Sequence, residues 1–475
     1  MDYLAPGFCW ELFYFRGYAQ NVPVSTWVPY LRYSRHMDIT LYATHVDGAI
    51  TIPSSKSQTI RALLLAAFSK GHSVIHNPLD SQDTRSCIEA CRAFGAVIDW
   101  HEVETSTLSE VYITVDAPEA FPESITIDCG NSGTTLYLAC GLAACTGAAV
   151  TFTGDAQLKN RPVGPLLDAL EDLGAQITYP SNQSRQGYPP FTIQGPLSGG
   201  KTSITCHTSQ HLSALLLACP LALQESEIIV PLLNERPYAE MTRSWLDRQH
   251  ISYWANETLQ HIKIPGKQRY TPFEATVQGD YSSASFFICA AAIAGGTITI
   301  RGLDPNDPQG DKEILSIVQT MGCSVVWEED FSVSITGPGR GNLIGGSFDL
   351  NAIPDALPIL AVTACFAQGT TQLGNVPQAR IKETDRIAVM RENLSACGVE
   401  VEELEDALII HGTGTLSGGY CKGYDDHRVI MAMAIASLGC SNSITIEGID
   451  AVAVTFPTFF TLLQHISTPN QEHKL

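Results

Sequence analysis

Apolar positions along this chain fall into two alternating kinds of segment. In the first, hydrophobic residues cover every side of a helical stretch, and a Gly or polar turn then leads into a short β-branched strand. Six segments follow this plan: IRALLLAAFSKGHSVIHN from Ile60, LYLACGLAACTGAAVTFTGD from Leu136, HLSALLLACPLALQESEIIVP from His211, SASFFICAAAIAGGTITIRG from Ser283, ALPILAVTACFAQGTTQLGN from Ala356 and RVIMAMAIASLGCSNSITIEG from Arg428. In the second kind, apolar residues recur near i, i+3 and i+7, and the helix ends at a glycine before a strand. Examples are CIEACRAFGAVIDW (Gly95), LLDALEDLGAQITY (Gly174), ILSIVQTMGCSVVW (Gly322) and MRENLSACGVEVEE (Gly398).

A helix apolar on all sides must be buried, and an amphipathic neighbour can cover it. Six copies spaced by about 70 to 78 residues are an internal repeat. The reading is an α/β fold of two domains with three repeats each, every domain packed around three buried apolar helices. The boundary is expected between the third and fourth repeats, in the polar stretch Lys267 to Gly279. Residues 37–55 with 280–475 then form one discontinuous domain and 56–279 an inserted one. A double hinge near Pro53–Lys56 and Asp280 would join them over a cleft, where ligands usually sit.

Charge narrows the partners. The chain has 475 residues, with Lys+Arg 28 against Asp+Glu 49 and a formal charge of −21, which argues against a nucleic-acid backbone or an anionic membrane. The 14 cysteines are scattered without a Cys-x-x-Cys pair, and Cys87 and Cys91 read as one helix face, not half a metal site. A reduced, cytoplasmic compartment is expected. The long uncharged run Tyr137 to Gly154 is too broken by Gly and Thr for a membrane span. Residues 1–36 are aromatic, carry Arg16, Arg32, Arg35 and His36, and read as an upstream extension preceding a natural start at Met37.

Polar clusters recur at the N-terminal ends of the apolar helices. PSSKSQTIR sets Lys56, Ser57 and Arg61 at the first, where cations oppose the helix dipole unless a bound anion is shared with the free N–H groups; a serine-rich turn with solvated cations is the plain alternative. GNSGTT (Gly130–Thr135) lets a ligand approach the backbone or is an ordinary cap. Lys159 and Arg161 precede Pro162, read as a first helical residue. Thr208, Ser209 and Gln210 cap the third apolar helix or orient a polar ligand. Asp355 is a helix cap or a base near the cleft, and Arg380, Lys382, Glu383, Asp385 and Arg386 are anion contacts or mutual salt bridges. Asp425 and Asp426 read as caps with Arg428 facing outward, and His427 as a geometric support. Several such ends around one cleft would make it locally cationic, so the ligand is expected to be small and anionic.

With these motifs in order, DGAITIPSSKSQTIRALLLAA, GNSGTT, LKNRPVGPLLDALEDLGA, VQGDYSSASFF, IPDALPILA, IKETDR and DDHRV, the chain resembles the EPSP synthase family over residues 40–465. The resemblance implies two domains of three βαβαββ-type units each. It implies transfer of the enolpyruvyl group of phosphoenolpyruvate to the 5-hydroxyl of shikimate 3-phosphate, with loss of phosphate, by a monomer without cofactor. Carried over by position, Lys56, Ser57, Arg61, Thr208, Ser209, Gln210, Asp355 and Lys382 would bind shikimate 3-phosphate. Lys56, Asn131, Gly133, Arg161, Gln210, Arg386 and Arg428 would bind phosphoenolpyruvate. Asp355 would accept the hydroxyl proton, Glu383 would deliver one to the methylene carbon, and Lys56 would assist.

Some positions depart from the family pattern. Tyr137 and Leu138 replace a common Arg-Pro, Val454 a common Lys, Gln378 a common Asn, and Glu235 a common Ser beside the phosphate, where an acid would repel it. Two alternatives follow: a UDP-sugar enolpyruvyl transferase of the same fold, and a non-catalytic descendant that binds anionic metabolites.

Overall fold

A computed structural model describes residues 38–104, 109–181, 183, 185–339 and 341–468, so the expected extension of residues 1–36 lies outside the described residues. In the first half the helices are α1 (Lys56–Phe68), α2 (Gln82–Ala93), α3 (Gly133–Ala143), α4 (Gly164–Asp172), α5 (Ser209–Ala218) and α6 (Arg236–Arg248). The second half adds α7 (Tyr281–Ala294), α8 (Glu313–Thr320), α9 (Leu357–Cys365), α10 (Arg386–Ala396), α11 (His427–Ala436) and α12 (Phe459–Ile466). The six apolar runs are the odd-numbered helices, and they are buried along nearly their whole length. Leu63, Leu64 and Leu65 of α1 have no exposed surface, and burying each contributes roughly 1.5–3 kcal/mol.

Short polar side chains cap five of these six helices. Ser55, Ser132, Thr208, Asp280 and Asp426 accept hydrogen bonds from the first turns of α1, α3, α5, α7 and α11. The helix α9 instead follows a 3₁₀ turn, Pro354–Ala356, and has no side-chain cap, which leaves Asp355 to other partners. At the other ends, Gly95, Gly174, Gly322 and Gly398 all adopt positive φ, between 89° and 109°, as the helix-ending pattern requires. Pro162 differs from the expectation: α4 begins at Gly164 with Pro165 in its first turn, and Pro162 belongs to the preceding loop.

The sheets repeat one plan. In the first half, strand Ser124–Asp128 runs parallel to Ala149–Thr153, which pairs antiparallel with Phe191–Gln194 and through it with Gln176–Thr178. The sheet of Gly200–Ser203, Ser226–Ile229, His261–Ile264 and Trp254–Ala255 has the same directions. Two sheets borrow their leading strand from far along the chain. Glu274–Thr276 pairs parallel with His72–His76, and Gly48–Thr51 pairs parallel with Thr297–Arg301. The N-terminal strand Ile39–Leu41 likewise closes the last sheet against Ile444–Ile446.

Two hydrophobic cores result. One joins Ile39, Val46, Ile50 and Ile52 to residues from Tyr281 to Ile466, and the other contains residues from Ile60 to Val277. Within the second core α3 crosses α5 so closely that a Cβ at Gly141 would stand 2.3 Å from the Ala214 carbonyl oxygen. This is a two-body α/β fold with three buried helices in each body.

Candidate active site

The ends of the buried helices meet at one cavity. From the first body come Lys56, Ser57 and Arg61 of α1, Gly133 of α3, Arg161 of the loop before α4, and Ser209 and Gln210 of α5. From the second come Asp355, Lys382, Glu383, Arg386 and Arg428. Thr208, one residue before α5, reaches the same region through Glu235.

An ion-pair network crosses between the bodies. Arg161 Nη2 lies 2.6 Å from Glu383 Oε1, and Glu383 Oε2 lies 2.5 Å from Arg386 Nη2. Arg386 Nη1 continues to Asp355 Oδ1 at 2.8 Å, and its Nε to Asp426 at 2.8 Å. Asp355 is shared with Arg428 Nη2 at 3.2 Å and Lys382 Nζ at 3.7 Å, and Lys382 in turn pairs with Glu235. Lys56 Nζ, also at the cavity, is 2.9 Å from Asp83. Arg428 is buried and directed into this network, not outward as expected, because Asp426 has taken the cap position and Asp355 supplies its counter-charge.

Burial and neighbouring charge compete at Asp355, Glu383 and Asp83. Burial alone would raise the carboxyl pKa of Asp355, but Arg428, Lys382 and Arg386 together hold it below the ordinary range. Burial likewise opposes ionisation of Glu383, and Arg161 and Arg386 outweigh it, leaving the group well below its usual value. For Asp83 burial wins over Lys56 and the pKa rises. Burial, reinforced by Asp355, pushes Asp311 up to about 7 while its Oδ2 accepts from Tyr238 Oη at 2.6 Å. His427 is held at about 3, first by burial, and its Nε2 has no hydrogen-bond partner. It is neutral near pH 7 and lines the cavity without adding charge.

The expected cationic cleft needs qualification. Six bases line the cavity (Lys56, Arg61, Arg161, Lys382, Arg386, Arg428), but so do six carboxyl groups (Asp83, Glu235, Asp280, Asp311, Asp355, Glu383). Five of the bases, all but Arg61, already face a carboxylate, so an anion binding to them must exchange places with an internal carboxylate.

Individual residues differ in their freedom. Arg61 donates to Thr242 Oγ1, the Ser57 and Tyr238 carbonyls and Ser213 Oγ, so its guanidinium is spent on internal bonds that fix α1 against α5 and α6. Burial lowers its pKa to about 10. Asn131 donates to Asp155 Oδ2 at 2.7 Å and Gln157 Oε1 at 2.6 Å and does not line the cavity. Gln210, by contrast, presents a buried Oε1 without a partner.

The departures also find places. Tyr137 donates from Oη to the Pro162 carbonyl at 3.1 Å and stacks edge-on against His211, which braces the loop carrying Arg161. Leu138 is core, and Val454 ends a 3₁₀ segment away from the cavity lining. Gln378 Nε2 donates to the Asn351 carbonyl at 2.9 Å.

Sequence reasoning did not single out Asp83, Tyr238 or Asp311. The signals were present as a carboxylate in the first turn of α2, the aromatic of NERPY and the Asp of PQGD, but nothing local places them at the cleft. Arg380, grouped with the KETDR cluster, instead pairs with Asp385 and Glu403 and bonds the Leu404 and Glu405 carbonyls. Among the described residues there is no grouping of three or more His, Cys, Asp or Glu able to hold a metal ion, and no helix is long and apolar enough to cross a membrane.

The chain as a whole is similar to known enzymes. The family profile of EPSP synthase (3-phosphoshikimate 1-carboxyvinyltransferase) matches residues 42–463. A 3-phosphoshikimate 1-carboxyvinyltransferase of Ruminiclostridium cellulolyticum is 43% identical over 426 residues, covering 89% of this chain and 97% of the relative. One from Acetivibrio thermocellus is 46% identical over 420 residues, covering 88% and 95%. The EPSP synthase structure from Acinetobacter baumannii superposes with a TM-score of 0.73 at 27% identity, over 91% of this chain and 98% of that one. With a family profile spanning most of the sequence and relatives at this identity over nearly their full length, the chain belongs to the EPSP synthase family.

Proposed function

We propose that this protein transfers the enolpyruvyl group of phosphoenolpyruvate to the 5-hydroxyl of shikimate 3-phosphate and releases phosphate, a step of chorismate and aromatic amino acid biosynthesis. The observation that carries the reading is the shared network Arg161, Glu383, Arg386, Asp355, Arg428 and Lys382 around one cavity. It supplies two half-buried carboxylates for proton transfer and four cations for two anionic substrates.

In this reading Asp355 takes the proton of the attacking hydroxyl as its oxygen bonds to C2 of phosphoenolpyruvate, and Glu383 gives a proton to the methylene carbon. The tetrahedral adduct then returns a proton from that carbon to the Glu383 carboxylate as the C–O bond to phosphate breaks. Arg161, Arg386 and Arg428 bind the phosphoenolpyruvate carboxylate and phosphate as planar forks, and Lys56, placed at the cavity beside Asp83, approaches both substrates. Ser57, Thr208, Ser209, Gln210 and Lys382 bind shikimate 3-phosphate, with Arg61 holding the frame of that subsite. Gly133 leaves backbone room at α3, and Asn131 supports its loop from behind.

Proton delivery follows from the charge balance. In the free site Glu383 is ionised because Arg161 and Arg386 face it. A carboxylate or phosphate bound to those arginines neutralises their field, so Glu383 gains a proton when substrate is present. The same network couples the two bodies, and we take the crossings near residues 53–56 and 280 as the hinge between a domain of 37–55 with 280–475 and one of 56–279. Acidic charge and the free thiols among the described residues support a monomer acting on small metabolites in the cytoplasm, apart from nucleic acid.

The test is phosphate release by purified protein. It requires both shikimate 3-phosphate and phosphoenolpyruvate, and a UDP-sugar does not replace the former. Release with a UDP-sugar and phosphoenolpyruvate, or none with the proper pair, overturns the assignment.

A further inference from the structure

Glu235 occupies a position that an acidic residue would ordinarily avoid. It is 1% exposed, lies at the mouth of α6 and adopts a left-handed backbone with φ 55°, uncommon for a residue with a side chain. Its side chain does not cap α6. Instead Oε2 accepts from Thr208 Oγ1 at 2.9 Å, from Ser209 N at 3.1 Å and from Ser209 Oγ at 3.1 Å, while Oε1 meets the Lys382 ammonium from the other body. Its own amide donates to the Asn351 carbonyl at 3.2 Å, which also accepts from Gln378.

Two hydroxyl donors, a helix N-terminal amide and an ammonium make a phosphate cradle. Here a carboxylate of the chain itself fills it. The donors are those assigned above to shikimate 3-phosphate, so this inference rests on that reading. A phosphate dianion and the Glu235 carboxylate cannot share one set of donors in a buried pocket, because like charges at that separation repel strongly.

We propose that Glu235 is a specificity-determining residue: it is a built-in anion that the phosphate of the acceptor must displace, and it thereby sets how much that phosphate adds to binding. The enzyme binds the phosphorylated acceptor less tightly than an open cradle would. Its preference for shikimate 3-phosphate over unphosphorylated shikimate is correspondingly compressed. The left-handed backbone, held only by surrounding contacts, gives the side chain a way to relax once Lys382 and the hydroxyls have transferred to the incoming phosphate.

The test is calorimetric titration of the full chain with shikimate 3-phosphate and, separately, with shikimate, at fixed pH and ionic strength. The readout is the ratio of the two dissociation constants in wild type, Glu235→Gln and Glu235→Ser. We expect the preference for the phosphorylated ligand to widen at least tenfold in both variants, with shikimate affinity moving less than threefold. A purely structural role would shift both ligands together and leave the ratio unchanged, and that result, or a narrowed preference, overturns the inference. Should Glu235→Ser melt below the assay temperature, the isosteric Glu235→Gln decides. Wild-type phosphate release with both substrates is measured in parallel. Turnover with an unmoved ratio removes the role of Glu235 alone, whereas absent turnover removes the functional reading and this inference with it.

Discussion

Replacing Glu383 by Gln is the sharpest probe of the network, because it keeps the side-chain shape and removes one charge. In the free enzyme that charge faces Arg161 at 2.6 Å and Arg386 at 2.5 Å, and the two arginine side chains are only 9% and 1% exposed. Gln can accept from one guanidinium but carries no charge for either, so Arg161 loses its one carboxylate partner among the described residues while Arg386 keeps Asp355 and Asp426. Removing one member of a buried pair typically costs about 3–5 kcal/mol, so the ligand-free variant should unfold at clearly lower denaturant than wild type. Phosphoenolpyruvate brings its own anionic groups to the same arginines and should restore part of that loss, giving a larger ligand-induced stabilisation in the variant than in wild type. Catalysis should not recover. Loss of a general acid lowers turnover about 10²–10⁴-fold, measured as phosphate release with both substrates saturating. A turnover within tenfold of wild type, or a variant equally stable without ligand, would refute the role and the charge argument respectively.

Asp355→Ala should reduce kcat/KM by at least about 3 kcal/mol, roughly 150-fold, in the same assay, and near-normal turnover would remove it as the base. Lys56→Ala should weaken both substrates, read as higher KM values for each; an unchanged response to phosphoenolpyruvate excludes a shared contact. Asp311 tests the pH dependence of stability. Its folded pKa of about 7 lies above the ordinary value of 3.8, so between these values the unfolded chain has released a proton that the folded one retains. Stability therefore falls as pH rises through that window, by at most about 4 kcal/mol for so buried a group. Asp311→Asn keeps an acceptor for Tyr238 and should gain on wild type as pH is raised from 5 to 8 in denaturant titrations. An equal difference at both pH values would contradict this.

What could be read without coordinates was local or periodic. All-round apolarity marked the six buried helices, because a helix without a polar face has no stable solvent-exposed state. Glycines 95, 174, 322 and 398 marked helix ends because only a residue without Cβ enters that backbone region cheaply. The GNSGTT turn, Thr208 and Asp426 before the apolar runs marked three of the caps, while Asp355, which could also be read as one, caps nothing. Family motifs then pointed to the cleft residues by position.

The tertiary structure alone decided which charges are available there. Arg61 and Arg161 look alike in sequence, yet Arg61 is consumed by Thr242, Ser213 and two carbonyls, whereas Arg161 reaches across to Glu383. Glu235 reads as a phosphate-repelling oddity until Thr208, Ser209 and Lys382 are seen to hold it. Leading strands such as Glu274–Thr276 pair with segments about 200 residues away, and no local pattern encodes that pairing. Helix type and ends follow from forces acting within a few residues. Charge balance and proton affinity depend on distance and burial among groups brought together from both bodies, and these exist only once the chain has folded.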